Sequence, residues 1–229
     1  SRAMVEERPG AAGATPLRIA TFNAISAKAL RRFPAGAYQV GHALADPDAI
    51  LLRSHALEAS AVAATVKAVA RSGAGVNNIP VAEMSRRGIP VFNAPGANAN
   101  AVKELVMAAI LLAARNLVPA IDAVRALAPG PDWEKRVEDG KKAFAGVEVR
   151  GKTLAVVGLG AIGGLVAEAA HALGLRVVGH DPKATPETLA RLPSPVRVLA
   201  SVDECFAAAD FITLHVPLLE STRHLADAR

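Results

Sequence analysis

Residues 153–181 read TLAVVGLGAIGGLVAEAAHALGLRVVGHD, and no other stretch limits the fold of the chain as tightly. An aliphatic run, TLAVV, stops at a G-x-G-x-x-G turn made by Gly158, Gly160 and Gly163. A helical pattern, IGGLVAEAAHALG, follows, and a second aliphatic run, LRVVGH, ends at Asp181. The glycine triplet alone is a weak signal. With a strand before it, a helix after it and an acid at the end of the next strand, it reads as the first β–α–β unit of a parallel sheet that binds a dinucleotide. Gly158 permits the tight turn, Gly160 leaves the backbone open to a pyrophosphate, and Gly163 lets the helix lie close on the strand. The free N–H groups and positive end of that helix face the phosphates. Asp181 offers a carboxylate to ribose hydroxyls and repels a 2′-phosphate, so the expected cofactor is NAD rather than NADP; Lys183, two residues on, softens that preference. His180 reads as a strand-end residue and not as a ligand.

The rest of the composition agrees with layers of aliphatic strands and Ala-rich helices. Hydrophobic residues make up 52% of the 229-residue chain, mean hydropathy is +0.28 and aromatics are only 3%, which argues against a base-stacking nucleic-acid surface. Of the net charge of +5, all sits in residues 1–100, with 11 Lys/Arg against 6 Asp/Glu. The excess reads either as ordinary surface variation or as a site for a small anionic molecule, and with no dense basic run beside it nucleic acid is not expected. Cys205 is the only cysteine and has no internal partner, which suits a reducing cytoplasm. The most apolar stretch, ELVMAAILLAA (104–114), has the length of a buried helix, so no membrane span is expected. No metal site is expected. Residues 1–16, rich in Gly, Ala and Pro, read as a disordered leader.

Strand and helix patterns alternate along the chain, the signature of parallel α/β layers. Strands are expected at 17–23, 48–54, 68–73 and 89–95, with a further one in AYQVGHA. Helices are expected in AISAKALRRF, ASAVAATVK and PVAEMSRRG, the last closed by Gly88. Residues 98–126 form one long helical pattern, or two broken at Pro119. It is apolar around most of its circumference and is expected to pack between two bodies. Residues 127–151 read as a polar surface arm anchored by Trp133. A second α/β unit then brings strands at 153–157, 176–180, 196–199 and 210–216 and helices at about 161–173, 185–191 and 202–208. The domains expected are a substrate-binding domain over 17–99 and a cofactor domain over 100–229.

Several segments together resemble the D-isomer-specific 2-hydroxyacid dehydrogenases, most closely their bacterial phosphoglycerate-oxidising branch. They are LLRSHALE (51–58), VARSGAGVNNI (69–79), IPVFNAPGANANAVKELVMAAILLAARN (89–116), GKTLAVVGLGAIGGLVAEAAHALGLRVVGHDP (151–182) and DFITLHVPLLESTRHL (210–225). The resemblance implies a flavodoxin-like substrate domain and a Rossmann-type NAD-binding domain. It implies hydride transfer between NAD and C2 of a 2-hydroxy or 2-oxo acid, with 3-phosphoglycerate or a related 2-hydroxy acid as substrate. The backbone N–H groups of Ala74 and Gly75 would hold the substrate carboxylate, in a turn whose glycines suit close approach to a ligand. Arg53, Ser54 and Arg71 would face the same ligand, since guanidinium groups match carboxylate and phosphate. Asn98, Asn100 and Glu104 are expected to cap or contact at the start of the long helix. Asn77 stands where the family often has Asp, a position that supports the turn. Ala161 and Ile162 would lie along the pyrophosphate, Asp181 on the ribose, and His215, Val216 and Pro217 beside the adenosine. His215 invites the label of catalytic base, but the resemblance places it in the cofactor wall.

The same resemblance places the family's catalytic Arg, Glu and His beyond Arg229. The chain is therefore expected to carry no catalytic residue, to hold a Rossmann domain of four strands that is incomplete at its C-terminus, and to be inactive alone. Glu220 and His224 are four apart but match a loop rather than a substitute pair. Two other readings stand beside the first. One is another 2-hydroxyacid dehydrogenase, of glycerate/hydroxypyruvate or erythronate-phosphate type; the other is a non-catalytic NAD-binding module. A homodimer through the cofactor domain, using the long helix and Trp133, is expected by the same analogy.

Overall fold

A computed structural model describes residues 15–23, 25–190, 192 and 196–227. The leader expected over 1–16 lies outside the described residues except for Thr15 and Pro16. The chain divides into two compact units, one ending at Ala97 and one starting at Asn98.

The first unit is built from β1 (Leu17–Thr21), α1 (Ala27–Leu30), β2 (Tyr38–His42), β3 (Ala49–Leu52), β4 (Ala68–Arg71), α2 (Val81–Arg86) and β5 (Val91–Phe92). All neighbours are parallel and the order is β2-β1-β3-β4-β5, the flavodoxin-like order whose direction reverses between β1 and β3. Ile50, Leu52 and Val69 from the middle strands meet Leu57, Val62, Val66, Ile79, Met84 and Ile89 in one buried cluster. The helix expected in ASAVAATVK is not there: only a 3-10 turn, Ala59–Ala61, forms. The carbonyls such a helix would use are taken instead by Arg87, whose guanidinium donates to Ala59, Val62 and Ala63 at 2.9–3.3 Å. Val62 is extended, and the β-branched Val62, Thr65 and Val66 lose little by leaving a helix.

The second unit contains α3 (Ala99–Ala114), α4 (Leu117–Ala126), α5 (Trp133–Gly140), β6 (Thr153–Val157), α6 (Ala161–Ala172), β7 (Arg176–His180), α7 (Pro186–Ala190), β8 (Val196–Val198), α8 (Val202–Ala208) and β9 (Phe211–Leu214). The sheet order is β8-β7-β6-β9, again parallel throughout, which is the first four strands of the doubly wound Rossmann order. β6 is buried along its whole length. Leu154 and Val156 point into a cluster with Val166, Ala167 and Ala170 of α6 and with Ile110 and Ala114 of α3. Ala155 and Val157 point into another cluster with Val178, Leu199 and Cys205. A continuous aliphatic run is what a strand covered on both faces requires. The buried Cys205 thiol is pushed up from its ordinary pKa by that burial, so it stays protonated.

Two expectations for the stretch before β6 need correcting. The long helical pattern breaks at Asn116, in the left-handed conformation with φ 51°, and not at Pro119. Asn tolerates that conformation, and its side chain donates to the Ala145 carbonyl at 3.0 Å. Pro119 then falls in the first turn of α4, where its missing N–H costs nothing. The segment 127–151 is also more than a polar arm, since it holds α5 and the 3-10 turn Lys141–Phe144. Within its unit α3 is covered on one face only: Leu105 is 70% exposed. Among the described residues no single helix is long and apolar enough to cross a membrane, although α3 and α4, bent by 64°, have that length together.

Candidate cofactor and substrate sites

In the second unit every sequence-predicted cofactor residue lies at the carboxyl end of a parallel strand. Gly158 follows β6, Asp181 follows β7 and His215 follows β9, in registers that put Val157 beside both His180 and Leu214. This end of a doubly wound sheet, where the strand order turns back, is where such folds place ligands. The glycines are held there by sterics. Gly158 has φ 92°, donates its N–H to the His180 carbonyl at 2.8 Å, and would put a Cβ 2.7 Å from the His215 carbonyl oxygen. A Cβ on Gly163 would collide with the Gly158 carbonyl oxygen. Gly160 differs from both: a Cβ there would meet nothing within 4 Å.

That open space lies at the start of α6, a helix with no side-chain cap. The first intrahelical bond is Gly164 N–H to the Gly160 carbonyl at 2.9 Å, so the N–H groups of Ala161, Ile162 and Gly163 keep no helical acceptor. Uncapped amides, an aligned helix dipole and a bare backbone at Gly160 make a cradle that fits a pyrophosphate. A groove of about 440 Å³ runs beside it, lined by Leu159, Gly160, Ala161, Gly164 and Glu168 among others. A larger cavity, about 520 Å³, lies at the opposite, amino end of the strands around Thr153 and Arg176 and has no part in the turn.

Asp181 does more than the sequence suggested. Its carboxylate accepts the Leu159 N–H inside the glycine turn and the Lys183 N–H, both at 2.9 Å. It therefore straps the turn to the end of β7 while each oxygen keeps a lone pair for another donor. His180 donates from Nδ1 to the Leu199 carbonyl at 3.0 Å, a strand-end role. The His215 ring lies 2.9 Å from Thr213 Oγ1 through Nε2, and burial holds its pKa below the ordinary range, which favours the neutral imidazole. Val216 stands beside Gly158, and Pro217 is exposed with its carbonyl accepting from Thr222.

In the first unit the predicted substrate residues gather at the carboxyl ends of β3 and β4. The Ala74 and Gly75 N–H groups have no acceptor among the described residues, while both carbonyls are occupied. Asn93 donates to Ala74 O at 2.6 Å and Arg71 donates to Gly75 O. The turn thus directs its carbonyls into protein contacts and leaves its amides open. Arg71 spends Nε and one Nη on the Arg53 and Gly75 carbonyls, so two of its five N–H donors bond the backbone and the others have no partner among the described residues. The Arg53 guanidinium has no partner among the described residues. Ser54 gives its N–H to Asn23 Oδ1 at 3.0 Å.

Sequence reasoning missed the asparagines that set this geometry. Asn23, at φ 65°, accepts from both Ser54 and His55. Asn78 Nδ2 donates to the Arg53 and His55 carbonyls at 3.1 and 2.6 Å, with its Oδ1 buried and unpaired. Asn98 does not cap α3 with its side chain, whereas Asn100 bonds Glu104 at 2.7 Å and Lys103 at 2.6 Å on the exposed first turns. Among the described residues no cluster of His, Cys, Asp or Glu is arranged to hold a metal.

Comparison with known proteins bears on the same unit. The NAD-binding domain of the D-isomer specific 2-hydroxyacid dehydrogenases matches residues 107–229. The chain belongs to that family. Its fold, resembling flavodoxin in the first unit and Rossmann in the second, and its cofactor, NAD, agree with the expectation from sequence. D-3-phosphoglycerate dehydrogenase of Methanocaldococcus jannaschii is 39% identical over 79% of this chain and 33% of that protein. Hydroxypyruvate reductase of Thermotoga maritima is 42% identical over 70% of this chain and 47% of that protein. The chain thus spans about a third to a half of the length of these curated relatives. Among solved structures, D-mandelate dehydrogenase of Rhodotorula graminis superposes with a TM-score of 0.74 at 25% identity, covering 93% of this chain and 69% of that one.

Proposed function

We propose that the chain is the substrate- and NAD-binding part of a D-3-phosphoglycerate dehydrogenase, acting in the conversion of 3-phospho-D-glycerate to 3-phosphohydroxypyruvate on the way to serine. The observation that carries the reading is the pair of open amide turns at the carboxyl ends of two parallel sheets, one at Ala74 and Gly75 and one at Ala161 and Ile162. The 39% identity to a protein of that name supports the substrate.

When bound, NAD supplies the hydride acceptor for C2. The chain's own residues bind and orient. Gly158, Gly160 and Gly163 shape the cradle, Ala161 and Ile162 donate to the pyrophosphate, and Asp181 accepts from the ribose. Neutral His215, with Val216 and Pro217, walls the adenosine side. A neutral imidazole there places no charge beside the adenosine and moves no proton. In the first unit Ala74 and Gly75 donate to the substrate carboxylate, and Arg53 supplies the free cation, with Ser54 beside it and Arg71 as brace. The removal of the hydroxyl proton needs a base, and we assign that role to no residue of this chain.

The 42% identity to a hydroxypyruvate reductase favours a second reading, in which the acid carries no phosphate. We also infer a cytoplasmic homodimer formed through the second unit. Leu117, Val118, Ile121 and Val124 of α4 are 41–54% exposed, and Trp133 is 37% exposed. An apolar surface of that kind, with an aromatic anchor, is what an interface buries.

Titration of this chain with NADH and with NADPH, followed by nicotinamide fluorescence, tests the cofactor half. Saturable binding that prefers NADH is the expected result. Failure to bind either dinucleotide would overturn the assignment of the glycine turn.

A further inference from the structure

His55 stands at the first unit's ligand edge with ring nitrogens that the proposed site does not use. It follows Arg53 and Ser54 beyond β3, on the side where the strand order reverses between β1 and β3. Its backbone is clamped from both directions: its N–H goes to Asn23 Oδ1 at 2.5 Å, and its carbonyl receives Asn78 Nδ2 at 2.6 Å. Its ring lies flat on Phe22, with centroids 4.5 Å apart and planes 12° from parallel. Phe22 in turn packs against the core and touches His42, the last residue of β2, at 6.1 Å. A stacked ring has its faces committed and its nitrogens free to bond in the ring plane. Neither ring nitrogen of His55 has a partner among the described residues.

The surroundings favour an anion. The two nearest side chains in sequence that can pair with one, Arg53 and Ser54, have no side-chain partner among the described residues either. The acids Asp46 and Asp48 precede β3, at the other end of the strands, where Asp48 is already taken by Lys67 at 2.8 Å and by the Arg18 N–H. The open amides of Ala74 and Gly75 account for one carboxylate. An unpartnered guanidinium and a stacked imidazole at the end of the neighbouring strand β3 then exceed what a singly charged acid requires.

Resting on the proposed substrate site, we infer that His55 is a specificity-determining residue: its imidazole N–H bonds the second anionic group of a doubly charged 2-hydroxy acid, the phosphate of 3-phosphoglycerate, beside Arg53. It selects that substrate class over acids such as glycerate that carry a carboxylate alone.

The test uses the isotope-labelled 229-residue chain, titrated separately with 3-phospho-D-glycerate and with D-glycerate. The amides of Ala74 and Gly75 report the site, and the His55 imidazole resonances report the second contact. Both ligands are expected to move the two amides, and only the phosphorylated one to move the His55 ring signals. His55→Phe keeps the stack on Phe22 and removes the donor. It is expected to weaken phosphoglycerate binding about tenfold, the worth of one charge-assisted hydrogen bond, and to leave glycerate affinity within about twofold. An unchanged preference in H55F, or a His55 ring that responds equally to both ligands in the native chain, overturns the inference while leaving the site reading intact. Silence of the Ala74 and Gly75 amides to both ligands overturns the site reading, and the inference with it.

Discussion

The two units solve one problem, holding a tight turn open at the end of a parallel strand, by different means. In the second unit the turn after β6 is fixed by backbone packing. Gly158 is at φ 92° against the His215 carbonyl, and Gly163 has no room for a Cβ beside Gly158. In the first unit the turn after β4 is fixed by side chains reaching in from elsewhere. Arg71 and Asn93 hold its carbonyls, and Gly75 has no positive φ and ordinary space around it, 3.4 Å to Asn77 Oδ1. Glycine is thus a structural necessity in one turn and a courtesy to a ligand in the other. The second unit contains both kinds, since Gly160 is more open still than Gly75, with nothing within 4 Å of an added Cβ.

Breaking the steric turn is expected to have the largest effect. Gly163→Ala drives a methyl into a backbone oxygen that cannot swing aside, so the second unit is expected to lose about 3 kcal/mol or more. Thermal unfolding followed by Trp133, the only tryptophan, reports this unit. Wild-type melting would show that α6 can shift on β6 and that the close approach is not required. Next in size is Gly160→Val. The fold is expected to hold, since nothing lies within 4 Å of the new Cβ, while NADH affinity falls at least about tenfold as the branch fills the phosphate cradle. Loss of the fold itself would place Gly160 with Gly163 and erase the distinction.

That distinction also decides what was legible in the sequence. The β6–α6–β7 stretch could be read nearly to the residue because everything it needs is local. Strands buried on both faces must be continuously aliphatic, and a turn with no room for a Cβ must be glycine. The flavodoxin-like strands of the first unit were also legible from alternation. Its braces were not. Asn23 to His55, Asn78 to Arg53 and Arg87 to Val62 join residues 25 to 32 positions apart through single side-chain bonds, and no period or spacing marks them. Where the pattern at 59–67 suggested a helix, Arg87 bonds the carbonyls of Ala59, Val62 and Ala63 instead. Arg71 carries the same lesson, since the sequence offers it as a ligand cation while its Nε and one Nη serve the backbone.

Arg71→Ala tests the side-chain turn. Two bonds to carbonyls are lost, but they lie at the surface where water replaces them. The expected cost is about 1 kcal/mol to the first unit, read by hydrogen exchange of the β4 amides, with NADH affinity unchanged. A cost as large as that of Gly163→Ala would mean that the first turn is as tightly determined as the second, and by one side chain.

Gly75→Ala is the smallest perturbation and the most discriminating. The added methyl meets Asn77 Oδ1 at 3.4 Å and Arg71 at 3.6 Å, ordinary contacts, and no left-handed backbone is strained. Removing a glycine also narrows the unfolded ensemble, so stability is expected to stay level or rise by about 0.5 kcal/mol. The N–H that would hold the substrate carboxylate is retained. What changes is the surface beside that N–H, where a ligand must come close. If the glycine serves the ligand, D-glycerate affinity falls while stability does not, and the two measurements separate as they do for Gly160 and NADH. If affinity and stability are both unchanged, the openness at Gly75 has no bearing on substrate approach, and the parallel between the two turns ends at their geometry.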